Sequence, residues 1–577
     1  MRGSPELDVA GQYADSTSGL SFLHRAWRRF SDNQSSELVN RLGSSEENQR
    51  LTAAGDKPFQ DHRAKLRIPN QHEARMLLDL YFDVCIATYR MLHRPTVEKW
   101  LSIVVENAEA SRTLWHGLHR SQASIVLSVL AVASFHQDKM QSSRSFSPIN
   151  VIASESMPQS DALFCEASEV SDAETGFPKL ESAQSRIIQV LYLLMSSRMN
   201  QAWYTFGHTL QIISALGLHR REVRKRATNR RDYIEEQSRK RTFWVAYTLD
   251  KHLSVIFGRP RHYHDDDIDQ DFPDLVNDED MLPTGPLGDG TDDCHIESLV
   301  VHAKLAQIAE RISREVYSIK PVPDHDRITA SHRLGSELRR WRSSLPPFLG
   351  AIKPSSLIPS FRRQATALKL AYSHAVMLAH RPFLLKTNRP ELRHLANESI
   401  SECIAAAQDV LENVDRMERD GRLFHAFWWT HYVCFCALVV VYVWAIQRND
   451  REDTHNASLF DLAERCLKHL AEATATNSPS RRYAIILQEL RTEAKKRTAR
   501  RSPEAIQPPA NPRQSGGAQS SVPPNEWGLG SPVSLEPTIP SMASFLDDWQ
   551  TTDWLDLDSS AFGPFPSFDA SSIAWTS

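Results

Sequence analysis

Cysteine is scarce in this chain of 577 residues, and the few cysteines are scattered. No two of them form the C-x2-C pair from which compact zinc sites are built, which excludes a zinc finger assembled from near neighbours. The low number also excludes a disulfide framework. No apolar signal segment follows Met1, so we expect a reducing compartment. The seven are Cys85, Cys165, Cys294, Cys403, Cys434, Cys436 and Cys466.

Enzyme motifs are lacking as well. The sequence has no G-x-S-x-G nucleophile motif, no glycine-rich phosphate loop and no dinucleotide-binding fingerprint. We therefore predict that the chain is not an enzyme and has no catalytic, cofactor-binding or metal-binding residue.

The net charge is small but unevenly distributed. Lys and Arg number 67 against 71 Asp and Glu, a net of −4, which argues against attraction of the whole chain to nucleic acid or anionic membrane. From Ser515 onward there is no Lys or Arg but there are eight acidic residues. The sequence thus has a mildly basic body and an acidic tail.

Apolar residues recur at helical spacing along most of the chain. One stripe contains Trp203, Phe206, Leu210 and Ile213, and Gly217 is a typical helix stop. Another begins near His72 and is predicted to end at Pro95. No run of alternating strands is present, so the fold class is all-α, a large multi-helix body of helix-pair character.

Composition divides the chain into three parts. Residues 1–70 are predicted to be a mobile leader, because apolar residues are sparse over much of this stretch. Residues 71–500 form the helical body, in which the Ser-rich segment 138–182 is predicted to be a disordered insertion. Residues 501–577 are predicted to be a disordered Pro/Ser-rich linker and acidic-aromatic tail.

One stretch is apolar enough to suggest a membrane span. Residues 423–447 contain no charged side chain over a length that could cross a bilayer. Histidines and an aromatic-dense start leave only about fifteen uninterrupted apolar residues, from Tyr432 to Ile446, which favours a buried core helix. Cys434 and Cys436 lie two apart on it and point to different faces, which indicates core packing rather than a metal pair.

Two basic clusters could contact phosphate or an import receptor. The cluster from Arg220 to Arg241 is interpreted as an exposed loop between helices. The second cluster lies beside the flexible tail and is the candidate nuclear import signal: Lys495, Lys496, Arg497, Arg500 and Arg501.

The tail alternates bulky apolar and acidic side chains between Phe545 and Trp575. Repulsion among the carboxylates keeps the aromatic groups from collapsing together, so they remain available to a groove on a partner. This composition is typical of transcriptional activation segments, and a merely solubilising tail is the alternative. The predicted anchors are Phe545, Trp549, Trp554 and Leu557.

A succession of short motifs resembles the fungal-specific transcription factor domain, the regulatory middle region of fungal zinc binuclear cluster regulators. Flanking motifs at residues 13–22, 80–82, 92–96 and 380–383 extend the resemblance over about residues 10–450. The central residues are Gln201 to Trp203, Gly207, Ala215 to Arg220, Glu235, Glu236, Arg239 to Trp244, Asp250, Gly258 to Pro260, Asp267, Ile268, Phe272 and Pro273.

The resemblance implies an all-helical, nuclear regulator. Members usually carry six cysteines that hold two zinc ions ahead of this region, whereas the first cysteine here is Cys85, inside a predicted core helix. We therefore expect zinc only if a cysteine cluster is encoded upstream, and DNA contact only indirectly or through a missing N-terminal finger. Gly217 is expected to cap a helix, Trp203 and Trp244 to anchor the core, and Asp250 to pair with an arginine.

The function predicted from these observations is a nuclear transcriptional activator of a fungal metabolic or biosynthetic gene set. Its expected partners are transcriptional coactivator machinery at the tail and a second chain in a homo- or heterodimer, with no membrane. The alternative is a helical membrane-associated or ligand-binding protein without a direct transcriptional role.

Overall fold

The computed structural model describes most of the helical body and little of either terminus. The described residues are 7–9, 12–19, 21–23, 25–26, 56, 58–59, 66–142, 158–221, 232–288, 293–352, 356–385, 393–419, 427–447, 454–473, 487–488 and 490–495. In this part of the chain the fold is all-α, as predicted, with two short antiparallel hairpins.

The described elements include two hairpins, a π-helical turn and a series of α-helices. The hairpins pair β1 (Leu7–Val9) with β2 (Gln12–Ala14) and β3 (Met281–Leu282) with β4 (Gly285–Pro286). A π-helical turn, Tyr81–Cys85, continues α1. The α-helices are α1 (Gln71–Leu80), α2 (Arg94–Glu109), α3 (Arg120–Ser142), α4 (Gln159–Asp172), α5 (Leu180–Met195), α6 (Met199–Ala215), α7 (Tyr233–Phe257), α8 (Glu297–Glu315), α9 (Asp324–Ser343), α10 (Pro347–Gly350), α11 (Pro359–His380), α12 (Arg393–Arg419), α13 (Trp428–Gln447) and α14 (Thr454–Ala473).

Local sequence explains where several helices begin and end. Asn70 and Glu73 form a capping box at the start of α1, with Asn70 Oδ1 accepting from the Glu73 amide at 3.0 Å. Gly217 follows α6 with φ +63°, and Gly258 ends α7 with φ +61°. Both values lie in the left-handed region that favours glycine, which confirms the predicted stop at Gly217.

Pro95 begins a helix rather than ending one. It lies in the first turn of α2, where the missing proline N–H removes no intrahelical hydrogen bond. The predicted helix from His72 therefore ends earlier, at the π-helical turn, and α2 was not predicted.

Helix α13 forms the centre of the C-terminal half, where it packs against α11, α12 and α14. All its side chains from Tyr432 to Val443 are buried, including those of Cys434 and Cys436. Among the described helices it alone is long and apolar enough to cross a membrane, with a mean hydropathy of 1.8, but 83% of that window is buried inside the protein. The segment is packed as a core helix, as its interrupted apolar run predicts.

The prediction of a disordered insertion over 138–182 is wrong for the residues described there. Helix α4 lies within it and packs on α3, burying Leu163, Phe164, Ala167 and Val170. These apolar residues recur at helical spacing, so one face of a Ser-rich, acidic segment can be removed from water.

The prediction of a mobile leader over 1–70 is wrong for the described residues 15–19, 21–23, 25 and 26. Phe22 and Leu23 are buried in the core, and the Asp15 amide donates to the Gly258 carbonyl at 2.8 Å. Arg381, itself buried after α11, donates to the carbonyl of Thr17. Burial of a few apolar side chains fixes this short segment although its neighbours are polar.

Candidate regulatory site

The predicted import signal is described at one residue only. Lys495 is half-exposed, and its Nζ lies 2.7 Å from a Glu464 oxygen that also pairs with Arg491 at 2.6 Å. Lys496, Arg497, Arg500 and Arg501 lie outside the described residues, as do the tail anchors Phe545, Trp549, Trp554 and Leu557.

The seven cysteines do not fit a zinc cluster. All are free thiols, and only Cys434 and Cys436 share an element, the helix α13. Five of the seven are buried, and burial raises the pKa of Cys403 and Cys466 to about 12. Zinc requires thiolates gathered around one point. Within the described part of the chain, the group of side chains close enough to share a cation is Glu418, His469 and Glu472, which contains no cysteine.

The first basic cluster divides into a surface part and a buried part. Arg220 and Arg221 form exposed ion pairs with Asp269 and Asp271, in keeping with the predicted loop. Arg241, in contrast, is fully buried on α7, where its Nη1 lies 2.5 Å from Asp278 Oδ1 and its Nη2 donates to the Val276 carbonyl at 2.8 Å.

Asp278 joins α7 to the start of α2. Its Oδ2 accepts from the Arg94 amide at 2.9 Å, and its carbonyl lies 3.0 Å from His93 Nε2. Burial works to raise the pKa of Asp278, but Arg241 and the Arg94 amide together hold it below the ordinary value. The carboxylate thus stays charged inside the protein.

Asp250 pairs with a lysine rather than with an arginine as predicted. Its Oδ2 lies 3.1 Å from Lys251 Nζ, and the backbone amides of His262 and Tyr263 donate to the same carboxylate at 2.9 and 3.2 Å. The pair holds the loop after α7 against the helix.

The two tryptophans predicted to anchor the core differ in burial. Trp244 is buried and donates from Nε1 to the Asp271 carbonyl at 2.9 Å, whereas Trp203 is half-buried.

A small cavity of about 60 Å³ lies between α8, α11 and the start of α13. Its polar wall contains His302, Arg363 and Trp429, each at least nine-tenths buried. The guanidinium carbon of Arg363 lies 3.3 Å from the centroid of the Phe427 ring. The full lining is Cys85 to Tyr89, Val132, Leu191, Met195, His302, Arg363, Ala367 and Phe427 to Thr430.

Several buried histidines surround this cavity. His302 Nδ1 lies 2.8 Å from Thr88 Oγ1, and the His252 ring stacks on Trp429 with centroids 4.4 Å apart. Burial lowers the pKa of His302 and of His374 to about 3, so both rings are neutral at pH 7. Sequence reasoning missed this site, because its walls come from six segments that are separated along the chain and no local motif marks them.

Comparison with known proteins finds one family that is similar to the central helices. Residues 78–343 match the family model described as the fungal specific transcription factor domain. The central part of this chain is therefore similar to that domain. The resemblance drawn from the sequence motifs is therefore confirmed, over a shorter stretch than the expected 10–450.

Fungal proteins named as activators or transcription factors are also similar to this chain. It is 27% identical to "Activator of stress genes protein 1" of Candida albicans over 45% of this chain and 29% of that protein. It is 25% identical to "Activator of stress genes 1" of Saccharomyces cerevisiae over 47% of this chain and 29% of that protein. With "Transcription factor FBD3" of Gibberella moniliformis the identity is 27% over 68% of this chain and 53% of that protein. The chain thus spans less than two thirds of each relative.

The residues matched to the fungal specific transcription factor domain supply only part of the cavity wall. Residues 85–89 and His302 belong to it, whereas Arg363 on α11 and residues 427–430 lie beyond its last matched residue, 343. The cavity therefore lies where the domain meets the C-terminal helices, and a change in either part would alter its shape.

Proposed function

We propose that this chain is a nuclear transcriptional regulator that activates a fungal metabolic or biosynthetic gene set. The observation that carries the proposal is the fungal specific transcription factor domain at residues 78–343, together with similarity to fungal proteins named as activators and transcription factors. The helical body would regulate, and the C-terminal tail would recruit coactivator machinery. No catalytic role is assigned.

Contact with DNA is assigned to another polypeptide segment. The seven cysteines are dispersed, so a zinc finger encoded upstream or a homo- or heterodimeric partner would supply base recognition. The purified 577-residue chain should bind DNA weakly, without sequence preference and less tightly as salt increases. Tight discrimination between DNA sequences by this chain alone would contradict the assignment.

The activation tail is tested with a reporter. Residues 541–577 fused to a heterologous DNA-binding domain should activate transcription, and changing Phe545, Trp549, Trp554 and Leu557 to Ala should remove most of that activity. Each anchor contributes roughly 1.5–3 kcal/mol when fully buried in a partner groove, whereas acidic side chains mainly speed the encounter.

The matched control changes the acids and leaves the anchors in place. Replacing Asp547, Asp548, Asp553 and Asp556 with Asn should weaken activation less than the Ala variant does. Equal activity of the Ala variant and the parent, or an inactive parent tail, would leave a solubilising segment and remove the activator part of the proposal.

Nuclear import is tested with a fluorescent fusion of the full chain. Replacing Lys495, Lys496, Arg497, Arg500 and Arg501 with Ala should move the signal toward the cytoplasm, because an import receptor reads clustered positive charge. A control variant with exposed Arg333, Arg340 and Arg342 changed to Ala removes charge from α9 and should stay nuclear. An unchanged distribution of the first variant would place the import signal elsewhere, with the Arg220 to Arg241 cluster as the next candidate.

A further inference from the structure

We propose that the cavity around Arg363 is a binding site for a small monocarboxylate with an apolar tail, whose carboxylate pairs with the guanidinium. A regulatory role for this ligand rests on the function proposed above, but its binding is measured on the purified chain and stands or falls separately.

Arg363 is a buried cation that has no counterion among the described residues. It is 9% exposed, its Nε and Nη1 have no hydrogen-bond partner, and none of the described carboxylates lies within ion-pair distance. Two other buried arginines do have partners. Arg241 forms an ion pair with Asp278, and Arg381 donates hydrogen bonds to Tyr317 Oη and the Thr17 carbonyl. Buried charges in proteins are ordinarily paired, so an unpaired guanidinium at a cavity indicates an anion.

No other described group in the polar wall carries a negative charge that could balance the guanidinium. His302 Nε2 and Trp429 Nε1 are buried without partners, and the indole N–H can only donate. Among the described residues that line the cavity there is no Asp or Glu. Cys85 is no counterion either, since burial raises the pKa of its thiol well above the ordinary value. Water could occupy the space, but it would leave the positive charge uncompensated.

The remaining wall is apolar and selects for the tail of the ligand. Ile86, Val132, Leu191 and Met195 line the cavity, and the Phe427 ring covers one face of the guanidinium. A planar guanidinium presents two parallel donors to a carboxylate, which a spherical inorganic anion does not use. The volume of about 60 Å³ suits a short acid of a few carbon atoms rather than a large effector.

The ligand class is tested by thermal unfolding and calorimetry of the full chain. Sodium acetate, butanoate and hexanoate are compared with sodium chloride at constant ionic strength, and with butanamide and hexanamide as uncharged matches. Butanoate should bind and raise the unfolding midpoint by about 2 °C or more at saturating concentration, whereas chloride and the amides should not. Equal shifts with chloride or with the amides, or no shift with any acid, would overturn the proposal.

Variants test separately whether binding needs the charge of Arg363 and whether it needs the space of the cavity. Arg363→Met should abolish the butanoate shift and should itself raise the ligand-free midpoint, because it removes an unpaired buried charge. Arg362→Met, the exposed neighbour on α11, is the matched control and should keep the shift. Ala367→Leu fills the cavity while retaining Arg363, so it should weaken butanoate binding at least tenfold even if Arg363→Met fails to fold. Retained binding in Ala367→Leu, or in a folded Arg363→Met, would place the carboxylate elsewhere.

Discussion

Acidification from pH 7 to pH 5 is expected to destabilise this protein by several kcal/mol. Burial lowers the pKa of four histidines to about 3, namely His136, His302, His374 and His380. Their pKa in the unfolded chain is near 6.5, so the unfolded state binds more protons throughout the interval between these values.

The sign follows from proton linkage. Because the folded state keeps these rings neutral, their contribution to the free energy of unfolding is fully present above pH 6.5 and is lost as the pH falls toward 3. The contribution of each of these buried rings to the free energy of unfolding should fall by on the order of 2 kcal/mol between pH 7 and pH 5. The pKa of Asp278 is lowered below an ordinary value of 3.8, so the stabilisation by this carboxylate is fully present from pH 7 to pH 5 and is lost only as the pH falls below that value.

The measurement is urea-induced unfolding at pH 7, 6 and 5. His374→Gln should reduce the pH dependence by on the order of 2 kcal/mol over this range, because it removes one buried titrating ring. His325→Gln makes the same chemical change at an exposed position and should leave the pH dependence as it is. If the free energy of unfolding of the unsubstituted protein were constant from pH 7 to pH 5, these histidines would have to be accessible to water in the native state.

Asp278→Asn is expected to cost about 3 kcal/mol or more in the free energy of unfolding. The substitution leaves Arg241, which is fully buried, without its anionic partner, and it weakens the contact with the first turn of α2. The effect would be measured by chemical denaturation at pH 7, where the wild-type carboxylate is charged.

Two further variants make this test specific. Asp271→Asn removes the exposed partner of Arg221 and should cost about 1 kcal/mol at most, because exposed ion pairs contribute little. The double variant Arg241→Met and Asp278→Asn should recover part of the loss, since no buried charge is left unpaired. If Asp278→Asn were as mild as Asp271→Asn, the buried pair would not be a main support of the junction between α2 and α7.

Sequence patterns predicted the fold class and most helices because apolar side chains repeat at helical spacing on buried faces. Helix α13 is the clearest case, since its apolar run was too short for a span and was assigned to the core. Helix α4 was missed because Ser and acidic residues hid a single apolar stripe, and α2 because Pro95 was interpreted as a stop signal.

The candidate site could not be predicted in the same way. Arg363 lies two residues after Phe361 in a helix that is buried on several sides. Helical spacing therefore does not distinguish this arginine from its neighbours. Only packing brings it beside Phe427, 64 positions further along the chain, and away from every described carboxylate. A missing counterion is a property of the packed structure and has no signature in local sequence.

The position of the cavity has a practical consequence for anyone who expresses fragments of this protein. The folding unit is larger than the segment defined by family similarity, because α11 packs on α8 and α9, and Phe22 and Leu23 are buried in the same core. A fragment ending at residue 343 would expose the apolar faces that α11 and α13 cover, and it should aggregate. Expression boundaries should therefore retain residues 12–495.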